Sequence, residues 1–295
     1  MLSVIIPVYV EPYLNRTINS LLENAVGDIE IIPVFDGEQK IEPLLEDSRV
    51  KPLTIPHSGM RAAINAGVAV STGEYLMKID AHCAISPGYD KEFTESCEHN
   101  WIVIPVFYAI DEDTWERRES RLKQIYHYLS FPCNLNKEYG RTMMSVVWQP
   151  YPEEWDAVEF DDTMTLQGGC WVVNKDYFMR YIFPMDDKPE AYGTFTQEYM
   201  ELGNKYWLGG GAVKVNKKIW YAHLNKRKHH YFTNMFSRLH RKDGQVFRSC
   251  LWSTEHWMNN KEPNMVRPFS WLVEKFWPVP FWPENWQAVW NKSKC

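Results

Sequence analysis

The chain has 295 residues, enough to bury a sizeable core as one large domain or as a domain with an appended segment. Its 38 acidic residues against 32 basic ones give a formal charge of -6, which excludes a polyanion binder driven by overall charge and leaves any anionic partner to a local patch. The opening run Leu2-Ser3-Val4-Ile5-Ile6-Pro7-Val8 is too short for a signal peptide or a membrane span, so a soluble, cytoplasmic protein is expected; six scattered cysteines without Cys-x-x-Cys spacing argue against a zinc module or a disulfide framework.

Ser3 to Val8 reads as a buried strand, followed by a helix with Leu14, Ile18, Leu21, Leu22 and Ala25 on one face. Ile29 to Phe35 is a second strand, ending on Asp36-Gly37, and Val50 to Ile55 is a short third. Ser58 is placed to cap a helix running through Val70, and Glu74 to Asp80 is a fourth strand. Pro87-Gly88 opens another helix before the apolar strand Trp101 to Phe107. This alternation predicts an α/β fold: a mainly parallel central sheet, Rossmann-like and flanked by helices, with ligands at the carboxyl ends of its strands. Asp36 and Asp80 both fall at such ends.

The fourth strand runs into Asp80-Ala81-His82. Side-chain period two turns Asp80 and His82 the same way, so a carboxylate and an imidazole can share one divalent cation, although a turn role for Asp80 stays open. Between Asp111 and Asp162 the periodicity fades, as expected of an excursion that covers a site. Gln167-Gly168-Gly169 then leads into a strand through Asn174; the paired glycines permit close approach to a ligand, or a tight turn. A helix from Thr196 to Trp207 carries Glu198 and Glu201 on a shared face and stops at Gly209-Gly210-Gly211. Short strands Ala212 to Val215 and Lys218 to Ala222 lead to His223.

The start Val4-Ile5-Ile6-Pro7-Val8-Tyr9, the strand end Phe35-Asp36-Gly37, the run Arg61-Ala62-Ala63-Ile64-Asn65-Ala66-Gly67 and Ser71-Thr72-Gly73-Glu74 together resemble the nucleotide-sugar half of family 2 type glycosyltransferases of the GT-A fold. Asp80-Ala81-His82-Cys83 is most similar to the polypeptide N-acetylgalactosaminyltransferases, which carry Asp-x-His where most relatives have Asp-x-Asp. Gly168-Gly169, Glu198 and Glu201, Trp207, Gly210-Gly211 and His223 follow in that family's order, and the resemblance covers about Leu2 to Tyr231. Departures accompany it: the family's Trp-Gly-Gly before the first helix Glu is Phe195-Thr196-Gln197 here, and its Arg three residues after the metal His is Lys226.

The resemblance implies an enzyme that moves a sugar from a UDP-sugar to a hydroxyl, with Mn²⁺ or Mg²⁺ on Asp80, His82 and His223. It further implies that Asp36 and the backbone at Val8 and Tyr9 meet the uracil, that Arg61 meets the ribose or diphosphate, and that Gly168, Gly169, Glu198 and Trp207 belong to the donor site. Lys226 and Tyr231 match a loop that closes on the phosphates. Retention is the implied stereochemistry; inversion would need a carboxylate base, for which Glu198 and Asp156 are candidates. A nucleotidyltransferase and a non-catalytic sugar or nucleic-acid binding module are the competing readings, the former weakened because Val8-Tyr9-Val10-Glu11-Pro12 is not a glycine-rich basic loop.

Residues 226–242 combine Lys226, Arg227, Lys228, Arg238, Arg241 and Lys242 with aromatics and no acid, a mixture that suits either a donor-diphosphate loop or a nucleic-acid acceptor such as a hydroxymethylated DNA base. The expected division is a glycosyltransferase domain over 1–245, with a nucleotide-binding half at 1–110 and a sugar and acceptor half at 111–245. A Trp- and Pro-rich extension over 246–295 packs on it, acceptor binding and membrane contact being the other roles open to its tryptophans.

Overall fold

The structure is a computed structural model that describes residues 1–38, 43–119, 123–132, 143–225 and 244–292. Strands β1 (Leu2–Val8), β2 (Ile29–Asp36), β3 (Leu53–Ile55) and β4 (Tyr75–Ile79) pair in parallel in the order β3-β2-β1-β4, linked by helices α1 (Leu14–Asn24) and α2 (Met60–Val70). Each helix buries one stripe: Leu14, Ile18 and Leu21 on α1, and Arg61, Ile64 and Val68 on α2.

Beyond β4 the sheet, expected to be mainly parallel, becomes mixed. After β5 (Cys83–Ile85), α3 (Tyr89–Ser96) and β6 (Trp101–Ala109), the chain makes a small separate hairpin of β7 (His127–Leu129) and β8 (Val146–Trp148) and an edge strand β9 (Phe160–Asp162). It then threads β10 (Cys170–Asn174) antiparallel between β4 and β6. That insertion depends on pairing partners far away in sequence, so no local periodicity announces it.

Helices α4 (Lys175–Tyr181) and α5 (Glu198–Leu208) follow. The two short strands expected after the glycines are one strand, β11 (Ala212–His223), parallel to β6 with a register shift between Asn216 and Trp220 and antiparallel to β5 and β9. α5 begins at Glu198 rather than Thr196, because Thr196 and Gln197 both hold left-handed backbone, with φ of 64° and 67°. Ser58 does not cap α2: its hydroxyl donates to the Pro56 carbonyl, while the Asp36 carboxylate accepts the amides of Ser58 (2.6 Å) and Gly59 (3.0 Å) at that helix end.

Apolar clusters fill both faces of the sheet. The larger contains Trp257, Leu272, Trp282 and Trp290 from helices α6 (Gln245–Met258), α7 (Phe269–Lys275) and α8 (Trp286–Lys292) and the loops between them. Trp282 donates its indole N–H to the Leu129 carbonyl at 2.6 Å, and Thr254 Oγ1 accepts the Met144 amide at 3.0 Å. Six of the seven tryptophans of this C-terminal segment thus lie in or against the core, with Trp277 exposed. Packing therefore uses most of the aromatic surface that acceptor or membrane contact would have needed.

Candidate active site

Three segments meet at the carboxyl end of β4. The Asp80 amide donates to the Gly169 carbonyl at 2.9 Å, which ties the strand end to the glycine turn. His82 lies in the turn before β5, where its carbonyl accepts the Leu224 amide at 3.0 Å. His223 is the last residue of β11, in register with Cys83 of β5. Sheet pairing therefore carries His223 across 143 positions of sequence to Asp80, with His223 Nε2 3.1 Å from Asp80 Oδ2. The imidazoles of His82 and His223 lie 4.4 Å apart, edge to face, and one ligand atom from each of Asp80, His82 and His223 falls within 4.8 Å of the others.

Around these side chains are two residues that the sequence reading missed. Glu11, itself buried, places Oε2 3.0 Å from His82 Nδ1 and accepts the Tyr13 amide on Oε1. With Nδ1 so engaged, Nε2 is the nitrogen His82 would offer an ion. Lys78 lies two residues before Asp80 on the same side of β4 and is 1% exposed. Its ammonium donates to Asp80 Oδ1 at 2.6 Å, to the Gly168 carbonyl at 2.5 Å and to Glu198 Oε1 at 3.3 Å.

Burial alone would raise the Asp80 carboxyl, but Lys78, His223 and His82 outweigh it and hold that group far below the usual carboxylate range. Burial would likewise lower Lys78, and the paired Asp80 and Glu198 overcome it, so the ammonium stays charged.

The glycine pair is accounted for by close approach. A Cβ on Gly168 would stand 2.7 Å from Glu198 Oε1, and one on Gly169 would stand 2.7 Å from the Tyr221 hydroxyl. Glu198 is buried at the start of α5 with Lys78 on one oxygen. Its position follows from the left-handed Thr196 and Gln197: Arg61 donates to the Thr196 carbonyl at 2.8 Å, and Ser253 Oγ on α6 donates to Gln197 Oε1 at 2.6 Å. Thr and Gln here keep a backbone conformation in which glycine has no steric cost.

Other expected site residues fall elsewhere. Arg61, expected at the ribose or diphosphate, is 0% exposed: it pairs with Glu201, donates to the carbonyls of Asp186 and Thr196 and lies over the Tyr192 ring. An enclosed fork with those partners braces the turn before Glu198 and does not face a cleft. Trp207 is also buried and donates to the Thr163 carbonyl at 3.0 Å, which makes it a packing residue in place of a donor contact.

Asp36 is 3% exposed, and besides holding the amides at the start of α2 it pairs with His57 at 2.8 Å; its carboxylate is turned toward its own chain. The exposed surface at that strand end is Tyr9, stacked on His57 with ring centroids 4.8 Å apart, while Val8 is buried below. Asp156 sits on a 3₁₀ turn paired with Lys123 and Tyr151. Lys226, Tyr231 and the rest of the 226–242 stretch lie outside the described residues. No helix among the described residues is long and apolar enough to cross a membrane.

Comparison with known proteins agrees with this architecture. The chain is 26% identical over 247 residues to polypeptide N-acetylgalactosaminyltransferase 3 of Homo sapiens, which covers 77% of this chain and 37% of that protein. It is 23% identical over 232 residues to polypeptide N-acetylgalactosaminyltransferase 5 of Caenorhabditis elegans, covering 75% and 35%. Against the uncharacterized glycosyltransferase EpsJ of Bacillus subtilis (strain 168) it is 32% identical over 111 residues, covering 35% and 32%. The chain thus spans about a third of the length of these relatives.

The crystal structure of GalNAc-T7 with UDP, GalNAc and Mn²⁺ superposes with a TM-score of 0.71 at 16% identity, over 97% of this chain and 59% of that one, which establishes the GT-A fold. The sequence model of Glycosyl transferase family 2 matches residues 3–182, more than half of the chain. This chain belongs to glycosyl transferase family 2.

Proposed function

We propose that the chain transfers a sugar from a UDP-sugar to a hydroxyl acceptor, using a divalent cation held by Asp80, His82 and His223. The observation that carries this reading is the convergence of one carboxylate and two imidazoles from three separate segments at the carboxyl end of β4. Mixed oxygen and nitrogen ligation suits Mn²⁺ better than a calcium cage, so the residues fit the group. When bound, the ion would offset the negative charge that grows on the departing diphosphate. The solved relative that holds UDP, GalNAc and Mn²⁺ shares the fold and adds support.

In this reading Tyr9 and His57 form the surface on which the base rests, and Gly168, Gly169 and Glu198 receive the donor sugar. Lys226 and Tyr231 are assigned to the phosphates from the sequence resemblance alone and lie outside the described residues. Retention is favoured because Glu198 is enclosed and paired with Lys78, while Asp156, exposed on its 3₁₀ turn, is engaged by Lys123 and Tyr151. For the acceptor, the acid-free cationic run 226–242 suits either a loop that serves only the donor diphosphate or a polyanion bearing a hydroxyl, such as a hydroxymethylated DNA base. DNA binding that weakens steeply with salt and is lost in an Arg238→Ala/Arg241→Ala variant is expected of the latter. Binding no stronger than that of an acidic control protein would leave a glycan or protein hydroxyl.

Thermal unfolding with Mn²⁺ and a panel of nucleotide sugars tests the donor. A rise in Tm with one or more UDP-sugars, and release of UDP, is expected. No shift with any UDP-sugar, together with diphosphate release from a nucleoside triphosphate, would establish a nucleotidyltransferase instead.

A further inference from the structure

Lys78 is not a required part of a cation and diphosphate site, yet it occupies the centre of this one. A lysine inside a strand of five residues, four of them fully buried, leaves water only where its charge is met. Here it is met by three oxygens: Asp80 Oδ1, Glu198 Oε1 and the Gly168 carbonyl. Of the three described residues grouped to ligate an ion, Asp80 alone is a carboxylate, and one of its oxygens already faces the ammonium at 2.6 Å. The carboxylates of Glu198 and Glu11 are held by Lys78 and by His82 Nδ1. An arriving cation would therefore share its one anionic ligand with a tethered positive charge.

We infer that Lys78 makes ion binding conditional on the donor: the ion is held weakly by the protein alone and firmly only with a nucleoside diphosphate, whose negative charges restore the balance that Lys78 removes. The inference rests on the reading of this site as a cation and diphosphate site. It assigns Lys78 as a positioning residue that acts through Asp80 and Glu198. Like charges this close, sharing one carboxylate in a largely enclosed setting, repel strongly enough to move an affinity by a factor of about ten or more.

The test is the affinity of the full 295-residue chain for Mn²⁺, read from the disappearance of the free-ion electron paramagnetic resonance signal, with and without UDP. In the wild type, UDP is expected to tighten Mn²⁺ binding about tenfold or more. Lys78→Met and Lys78→Gln should bind Mn²⁺ alone about tenfold more tightly than the wild type and gain less from UDP, whereas Lys78→Arg, which keeps the charge, should stay within about threefold of it.

Variants without the charge that bind the lone ion no more tightly than the wild type would overturn the inference. So would a wild type that binds Mn²⁺ equally tightly with and without UDP, an outcome that leaves the metal site itself standing. A wild type that binds no Mn²⁺ even with UDP would instead overturn the reading of the site. Should Lys78→Met fail to fold, Lys78→Gln, which keeps a polar donor in the cage, and the wild-type pair of measurements decide the question.

Discussion

Two of the charged clusters among the described residues are closed to different degrees. At the first, Arg61 and Glu201 are 0% exposed, and Glu201 also holds the Lys205 ammonium and the Asp186 amide, so its charges are closed on one another. At the second, His82, Asp80 and His223 keep 15%, 23% and 24% of their side chains open, over a floor made by Lys78 and Glu11. A buried ion pair that is complete within itself fixes chain geometry, whereas one left open on a single side presents its charges to a ligand. The clusters are joined by the turn at Thr196 and Gln197, which Arg61 anchors and which delivers Glu198 to Lys78.

Removing one side chain from each cluster separates their roles. Asp80→Ala or His223→Ala should abolish the stabilisation that Mn²⁺ and a UDP-sugar give together; His223→Ala should leave the unfolding transition of the free protein nearly in place, whereas Asp80→Ala should also lower it by taking the nearest carboxylate from buried Lys78. Thermal scans showing full donor stabilisation in both variants would show that the open cluster is not the ligand set. Arg61→Ala should instead lower stability itself by about 3–5 kcal/mol, since it takes the guanidinium from buried Glu201, leaving it Lys205, and removes the bonds to the Asp186 and Thr196 carbonyls. Urea unfolding within about 1 kcal/mol of the wild type would mean that the closed cluster is not what holds α2 against α5.

A third enclosed ionisable group sharpens the distinction. His127 on β7 is 2% exposed, and burial pushes its pKa down to about 4. Its folded value lies below the unfolded value of about 6.5, so the folded state resists protonation while the unfolded state takes the proton. Its contribution is complete above about pH 6.5 and falls as pH drops toward 4, by up to about 3 kcal/mol. Unfolding free energies measured across that window should show the decline, and His127→Phe should flatten it; an identical pH slope in the variant would assign the decline to other groups. Smaller still is the effect of Glu11→Ala, which should weaken Mn²⁺ binding in the presence of UDP by about 10–100-fold through the loosened orientation of His82. Unchanged ion affinity in that variant would leave Glu11 a purely structural partner of the Tyr13 amide.

What could be read from sequence follows the range of the interactions. β1, α1, β2, α2 and β4 announce themselves because strand and helix periodicities are local, and Asp80 with His82 is legible because period two is. His223 is legible only through the order of motifs, since no local pattern reveals a contact 143 residues away.

Two buried charges carry signals in the periodicity of their elements. Lys78 shares parity with Asp80 inside an apolar strand, which marks it as a buried charge in need of partners. Arg61 lies on the same face of α2 as Ile64 and Val68, which turns it toward the core and away from a cleft. Glu11 had no such signal, because it stands in a loop and meets His82 only through the sheet. The antiparallel β10 was hidden for the same reason: what makes it antiparallel is its two neighbours.

The central claim, that Asp80, His82 and His223 hold one ion that grips a sugar nucleotide, is tested most directly by pulsed electron paramagnetic resonance of Mn²⁺ bound with UDP to the wild type and to His82→Ala and His223→Ala. Nitrogen-14 couplings from two imidazoles in the wild type, reduced to one in each variant, are the predicted result. A bound Mn²⁺ without imidazole nitrogen coupling in the wild type would contradict it.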